Sequence, residues 1–183
     1  MLHRKRAINK MFRRISPGLI IAIGLFSLLS QGYTEEPEGR ESTEQWEEIA
    51  LIRQQIAVDL DLQAESKRTD AIQLESTRSY ETAGDALDNA GDDKYSASNN
   101  YQKASKYWRK IAEAYKTEGE EIRGKKAQVI GDTTWEAAKR TLREGAKLHK
   151  TAAELFESVN NPNKKISALK KVARNLESLL NMK

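Results

Sequence analysis

The sequence predicts an all-α fold of antiparallel helical hairpins, and three observations carry that expectation. Ala, Glu, Leu, Lys and Arg supply 88 of the 183 residues, close to the half that marks long helices. Only one proline, Pro162, lies beyond residue 37. Apolar residues recur at three- and four-residue spacings, and no stretch sustains the period-two alternation of a strand.

The elements follow in order. Six bases, Arg4, Lys5, Arg6, Lys10, Arg13 and Arg14, precede an apolar run at residues 18–29. A basic stretch, an apolar run of about a dozen residues and the small residues Ser30 and Gly32 together form an export signal. Cleavage is expected between Gly32 and Tyr33, which directs the chain to a periplasmic or extracellular location. If the segment is retained, it anchors the chain in a membrane. Spanning wants about 20 apolar residues, and Pro17 stops this run from extending backwards. No cysteine occurs anywhere, so disulfides, thiolate metal sites and lipid-modified cysteines are excluded.

Residues 33–41 are polar, contain Pro37 and Gly39, and read as a flexible leader. Residues 42–183 read as one helical domain. Ser42 with Gln45 forms a capping box that opens the first helix, whose stripe is Trp46, Ile49, Ile56 and Leu60. The polar stretch 65–70 is either a break or a solvated turn of one long helix. A second stripe runs Ile72, Ser76, Tyr80, Ala83, Leu87, Ala90, and Gly91-Asp92-Asp93 is expected to end it. The next is Ala97, Tyr101, Ala104, Trp108, Ile111, Tyr115. Gly131-Asp132-Thr133 is expected to break the chain, with Thr133 and Glu136 capping the following helix. That helix carries Trp135, Ala138, Leu142, Gly145, His149, Ala152, Phe156 and Val159. Asn160 to Asn163 is a turn with Pro162 at a first helical position. The last helix carries the stripe Ile166, Leu169, Ala173, Leu176 and Leu180.

A period of about 34 residues runs beneath these stripes. Trp46, Tyr80, Tyr115 and His149 are spaced by 34 or 35, and a small residue (Ala50, Gly84, Gly119, Ala153) stands four positions after each. Tyr101, Trp135 and Leu169 are likewise 34 apart. The unit Tyr80-x2-Ala83-Gly84-x2-Leu87, then Ala97-x3-Tyr101-x2-Ala104, resembles the tetratricopeptide repeat and the looser helical-hairpin repeats related to it. The resemblance covers most of residues 43–179, although the family's closing proline is missing and Lys67 stands where the first unit should have an aromatic. It implies a small solenoid that binds a protein or peptide on its concave side. The residues by themselves equally allow an antiparallel bundle of four or five helices.

Chemistry is sparse. His3 lies in the export segment, and His149 lies on an apolar stripe without the Glu-x-x-His partner of a di-iron site. No nucleophile elbow, phosphate loop, dinucleotide fingerprint or calcium loop occurs. Residues 119–126 lack both the hydroxyl residue and the preceding strand that a phosphate loop needs. No catalytic, cofactor or metal residue is therefore assigned, and the chain is expected to be non-enzymatic. Tyr95 and Tyr107 fall off the stripe of their helix and are the candidate partner contacts.

The formal net charge of +4 belongs to the export segment. Residues 33–92 carry 16 acids and 5 bases, and residues 93–183 carry 11 acids and 20 bases. An acidic half lying against a basic half within one chain is the first reading. The others are a homo-oligomer stacking through opposite charges, or contact of the basic half with an anionic envelope surface. Nucleic acid is not an expected partner. The expected function is an exported helical scaffold for a protein or peptide partner, with a self-associating bundle or an envelope-surface binder as alternatives.

Overall fold

The computed structural model describes residues 42–182. The export segment, its Gly32–Tyr33 junction and the leader lie outside them. Four helices fill the described residues: α1 (Thr43–Ser76), α2 (Tyr80–Thr117), α3 (Glu121–Ser158) and α4 (Pro162–Leu180). Each packs against its neighbour in the chain, α1 on α2, α2 on α3 and α3 on α4. Three-residue connections make each successive pair antiparallel.

Two starts fall where local chemistry puts them. The Ser42 hydroxyl accepts from the Gln45 N–H, and the Gln45 side chain accepts from the Ser42 N–H. Pro162 occupies the first turn of α4, and the Asn161 side chain accepts from the Lys164 N–H.

Two expected breaks are not breaks. α2 runs through Gly91-Asp92-Asp93 and α3 through Gly131-Asp132-Thr133, where Thr133 donates to the Val129 carbonyl as a mid-helix residue. The stripe read across Ile72 to Ala90 is cut by a turn at residues 77–79. A hairpin array of 34-residue units would need reversals near residues 92 and 132. Instead α1, α2 and α3 span 34, 38 and 38 residues, each about as long as a whole unit.

The true reversals share one geometry. Arg78, Gly119 and Asn160 stand at φ 61°, 79° and 56°. In each turn the next N–H returns to a carbonyl five residues back: Ser79 to Leu74, Glu120 to Tyr115 and Asn161 to Phe156. The left-handed residue donates three back, to Glu75, Lys116 and Glu157. These are Schellman closures, in which glycine is the least strained occupant. Arg78→Gly should therefore raise unfolding stability by roughly 1 kcal/mol, and Gly119→Ala should lower it by about the same amount. Urea unfolding followed by circular dichroism reads both.

What positions the helices is a ladder of small residues at heptad spacing. α1 buries Ala50, Ala57, Ala64 and Ala71 completely. α2 answers with Ala83, Ala90, Ala97 and Ala104, also fully buried. A second ladder on α2, Gly84, Gly91, Ser98, Ser105 and Ala112, meets Gly124, Gly131, Ala138, Gly145 and Ala152 of α3. The backbones come close enough for Ser98 to donate to the Ala138 carbonyl at 2.9 Å and Ser105 to the Gly131 carbonyl at 2.7 Å. A Cβ on Gly145 would stand 3.1 Å from the Gly91 carbonyl oxygen, and one on Gly124 3.1 Å from that of Ala112.

Larger side chains fill the flanks in three clusters. Leu87 and Phe156 pack among Ala71, Ala83, Ala152, Ala153 and Ala168. Trp108 and Ile111 pack with Ala50 and Ala127, and Leu142 packs with Ala138 and Met182.

Candidate functional site

α4 presents its apolar seam to solvent. Its inward residues are Ala168 and Asn175, with Met182 just beyond its end, all buried and seven residues apart. They lie against the small-residue register of α3, where the Asn175 side-chain amide comes within 2.9 Å of where a Gly145 Cβ would stand. Ile166, Leu169, Leu176 and Leu180 are 52, 43, 46 and 77% exposed, and Ala173 is exposed with them. The stripe therefore faces solvent rather than the core, the opposite of what an amphipathic pattern usually implies. Backbone approach to α3 admits only a narrow side chain at Gly145, so the wide leucine face turns outward. The spacing of 3, 4, 3 and 4 is that of a coiled-coil seam without a partner helix.

α1 has an outward stripe too. Leu51, Val58, Leu62 and Ile72 are all exposed. Val58 lies one turn from Gln54, whose amide donates to the Thr134 hydroxyl at 2.8 Å, so this stripe borders the place where α1 meets α3. No helix among the described residues is long and apolar enough to cross a membrane.

Beneath the surface lie two charged clusters. The Lys94 ammonium, with 4% of its side chain exposed, sits 3.1 Å from Asp61, 3.0 Å from Glu65 and 3.0 Å from Glu144. One cation thereby ties α1, α2 and α3. Burial works to lower the Lys94 pKa, but the hydrogen bonds it donates to the three carboxylates outweigh it and hold it above the ordinary lysine value. Glu65 is held below its ordinary value, chiefly by the Lys94 hydrogen bond.

The second cluster ties α2, α3 and α4. His149 is fully buried and donates from Nδ1 to Asp88 at 2.7 Å, while its Nε2 is 3.8 Å from Asp92. The ring lies over Gly91, where a Cβ would come within 2.6 Å of it. Lys171 bonds both Asp88 and Asp92, and Arg174 bonds Asp92. Burial alone would raise the Asp88 pKa, yet the hydrogen bonds from His149 and Lys171 hold it below the usual carboxylate range. Farther along, Lys164 bridges Glu81 and Asp85. The acidic start of α2 thus lies against the bases of α4 within one chain. Among the described residues no group of three or more His, Asp or Glu is placed to hold a metal ion.

The two tyrosines singled out in the sequence are apart and engaged. Tyr95 is half-buried against the Ala138–Leu142–Met182 cluster, with the Arg174 guanidinium 3.9 Å from its ring centre. Tyr107 is half-buried beside Trp46 and Ile111, with the Lys110 ammonium 5.3 Å from its ring. Tyr95 touches α4 through Arg174, whereas Tyr107 lies at the α1–α2 contact. Lys94 and its carboxylates were missed by sequence reasoning, and a lysine one heptad before Tyr101 gives no signal of burial.

Searches of the chain against protein-family models, curated proteins and solved structures each find no match.

Proposed function

We propose that the chain is an exported, non-catalytic helical scaffold that docks a protein partner through the outward seam of α4. The observation that carries this reading is Ile166, Leu169, Ala173, Leu176 and Leu180 standing exposed in coiled-coil spacing while the helix's small face is buried. A seam of this kind is the usual acceptor of an amphipathic helix. Docking by shape and apolar burial needs no cofactor. On α4 itself Lys164, Lys171 and Arg174 are already occupied by carboxylates of α2, which supports docking through the apolar seam rather than through the bases of that helix.

Photo-crosslinking in the producing cells tests the proposal. A benzoylphenylalanine at position 169 or 176 should give a discrete adduct, and one at Lys103, exposed on α2, should not. Equal labelling at all three positions, or none at any, removes the seam as a docking site.

A further inference from the structure

We infer that the partner on the α4 seam is a second copy of this chain, which offers the outward stripe of its α1. The inference rests on the docking reading above and adds the occupant.

Three observations lead to it. The first is that the molecule carries two exposed apolar stripes on different helices. Leu51, Val58, Leu62 and Ile72 are outward on α1, and Ile166, Leu169, Leu176 and Leu180 are outward on α4. α1 is 34 residues long and α4 is 19, so the longer stripe accommodates the shorter.

The second is charge. α1 carries eight acids and three bases, and α4 carries five bases and one acid. Four of those five bases, Lys164, Lys165, Lys171 and Arg174, are already paired within the chain, so the charge that steers the contact is the charge the fold leaves unpaired.

The third is which charges the fold leaves over. Glu44, Glu48, Asp59 and Asp70 are exposed on α1 and have no ion-pair partner among the described residues. Arg140, Arg143 and Lys147 of α3 and Lys170 of α4 are exposed and equally lack one among the described residues. Among these helices the charge left over is negative on α1 and positive on α3, while on α4 the exposed Glu177 balances Lys170, and a heterologous contact that lays the α3–α4 side of one copy on a neighbour's α1 brings the two sets together.

Such a contact is not self-limiting. A copy that docks its α4 on a neighbour's α1 still has a free α1, so the assembly extends into a row unless the rotation closes it into a ring.

The test uses the full chain in sedimentation velocity. The unmodified chain should associate with concentration, and raising salt from about 50 to about 500 mM should raise the apparent Kd by roughly tenfold. The double variant Leu169→Glu with Leu176→Glu should be monomeric, because its α4 seam is gone. Val58→Lys with Leu62→Lys should also be monomeric, because its α1 stripe is gone. An equimolar mixture of the two should form a dimer and stop there, since each retains the face the other has lost. That dimer also shows that both variants are folded. A monomeric unmodified chain overturns the inference, and so does dimerisation of the α1 variant alone, which would mean α4 on α4. A crosslink from position 169 to a different protein, with a monomeric chain, overturns the self-pairing and leaves the docking surface standing. Absence of any adduct defeats both.

Discussion

Lys94→Ala should lower the unfolding free energy by about 3 kcal/mol at neutral pH. Removing one member of a buried ionic set costs about 3–5 kcal/mol, because the partners lose their counter-charge. Here Asp61, Glu65 and Glu144 keep 25, 50 and 41% side-chain exposure, so water recovers part of the loss and the lower end applies. The variant also has a distinctive acid limb. In the unmodified chain Glu65 and Asp88 titrate below their ordinary values of 4.5 and 3.8. Their contribution is therefore complete above those values and is lost as pH falls through the depressed ones. Lys94 lies above its ordinary value of 10.5, so its contribution is complete below that pH and is lost as pH climbs beyond it. Between these limits stability should be flat. Without Lys94, Glu65 loses the main cause of its shift. The gap between the two proteins should then narrow as pH falls from about 5 to 3, where protonation relieves the carboxylates. Urea midpoints at five or six pH values measure this. A gap independent of pH would show that the lysine contributes by packing its stem rather than by charge.

Phe156→Ala should cost about 3–5 kcal/mol, the range for truncating a buried aromatic. Phe156 is 1% exposed and is the largest fully buried side chain. Its ring lies over Gly84, where a Cβ would come within 2.6 Å of it. Gly84→Ala should therefore destabilise by about 1–3 kcal/mol through overpacking, although alanine is the better helix former by about 1 kcal/mol. The two changes should not add. With the ring gone, the new methyl enters space it previously contested, so the double variant should lie at least 1 kcal/mol above the sum of the singles. Additive losses would mean that the ring moves aside in Gly84→Ala and that the contact is not tight.

The fold class was legible because it depends on composition and on the spacing of apolar residues, and both survive packing. Helix ends were legible only where side chains cap them, at Ser42 and Pro162. The reversals at residues 78 and 119 were not. Arg78 takes a left-handed conformation with no residue-type signal, and Gly119 opens a stretch, residues 119–126, whose glycines and lysines superficially resemble a phosphate loop. Gly91 and Gly131, which a one-helix pattern marks as breaks, are instead close-approach points where a Cβ would meet the neighbouring helix. The candidate site was half legible. The α4 stripe is legible residue for residue, but its direction depends on Ala168, Asn175 and Met182 meeting the small residues Ala152, Gly145 and Ala138 of α3, which appears only when two helices are compared. Lys94 and its three carboxylates come from α1, α2 and α3, far apart in sequence, and no local pattern announces such a meeting.

The order of packing has a kinetic consequence. Each helix lies against the one made just before or after it, and the three reversals between them are three residues long. The chain therefore closes only short loops before the small-residue ladders engage, and loop closure is what slows folding. Topologies of this kind fold in roughly microseconds to milliseconds. Each hairpin completes from its own two helices as they emerge, so the acidic first pair is in place before the basic α4 arrives to be held by it.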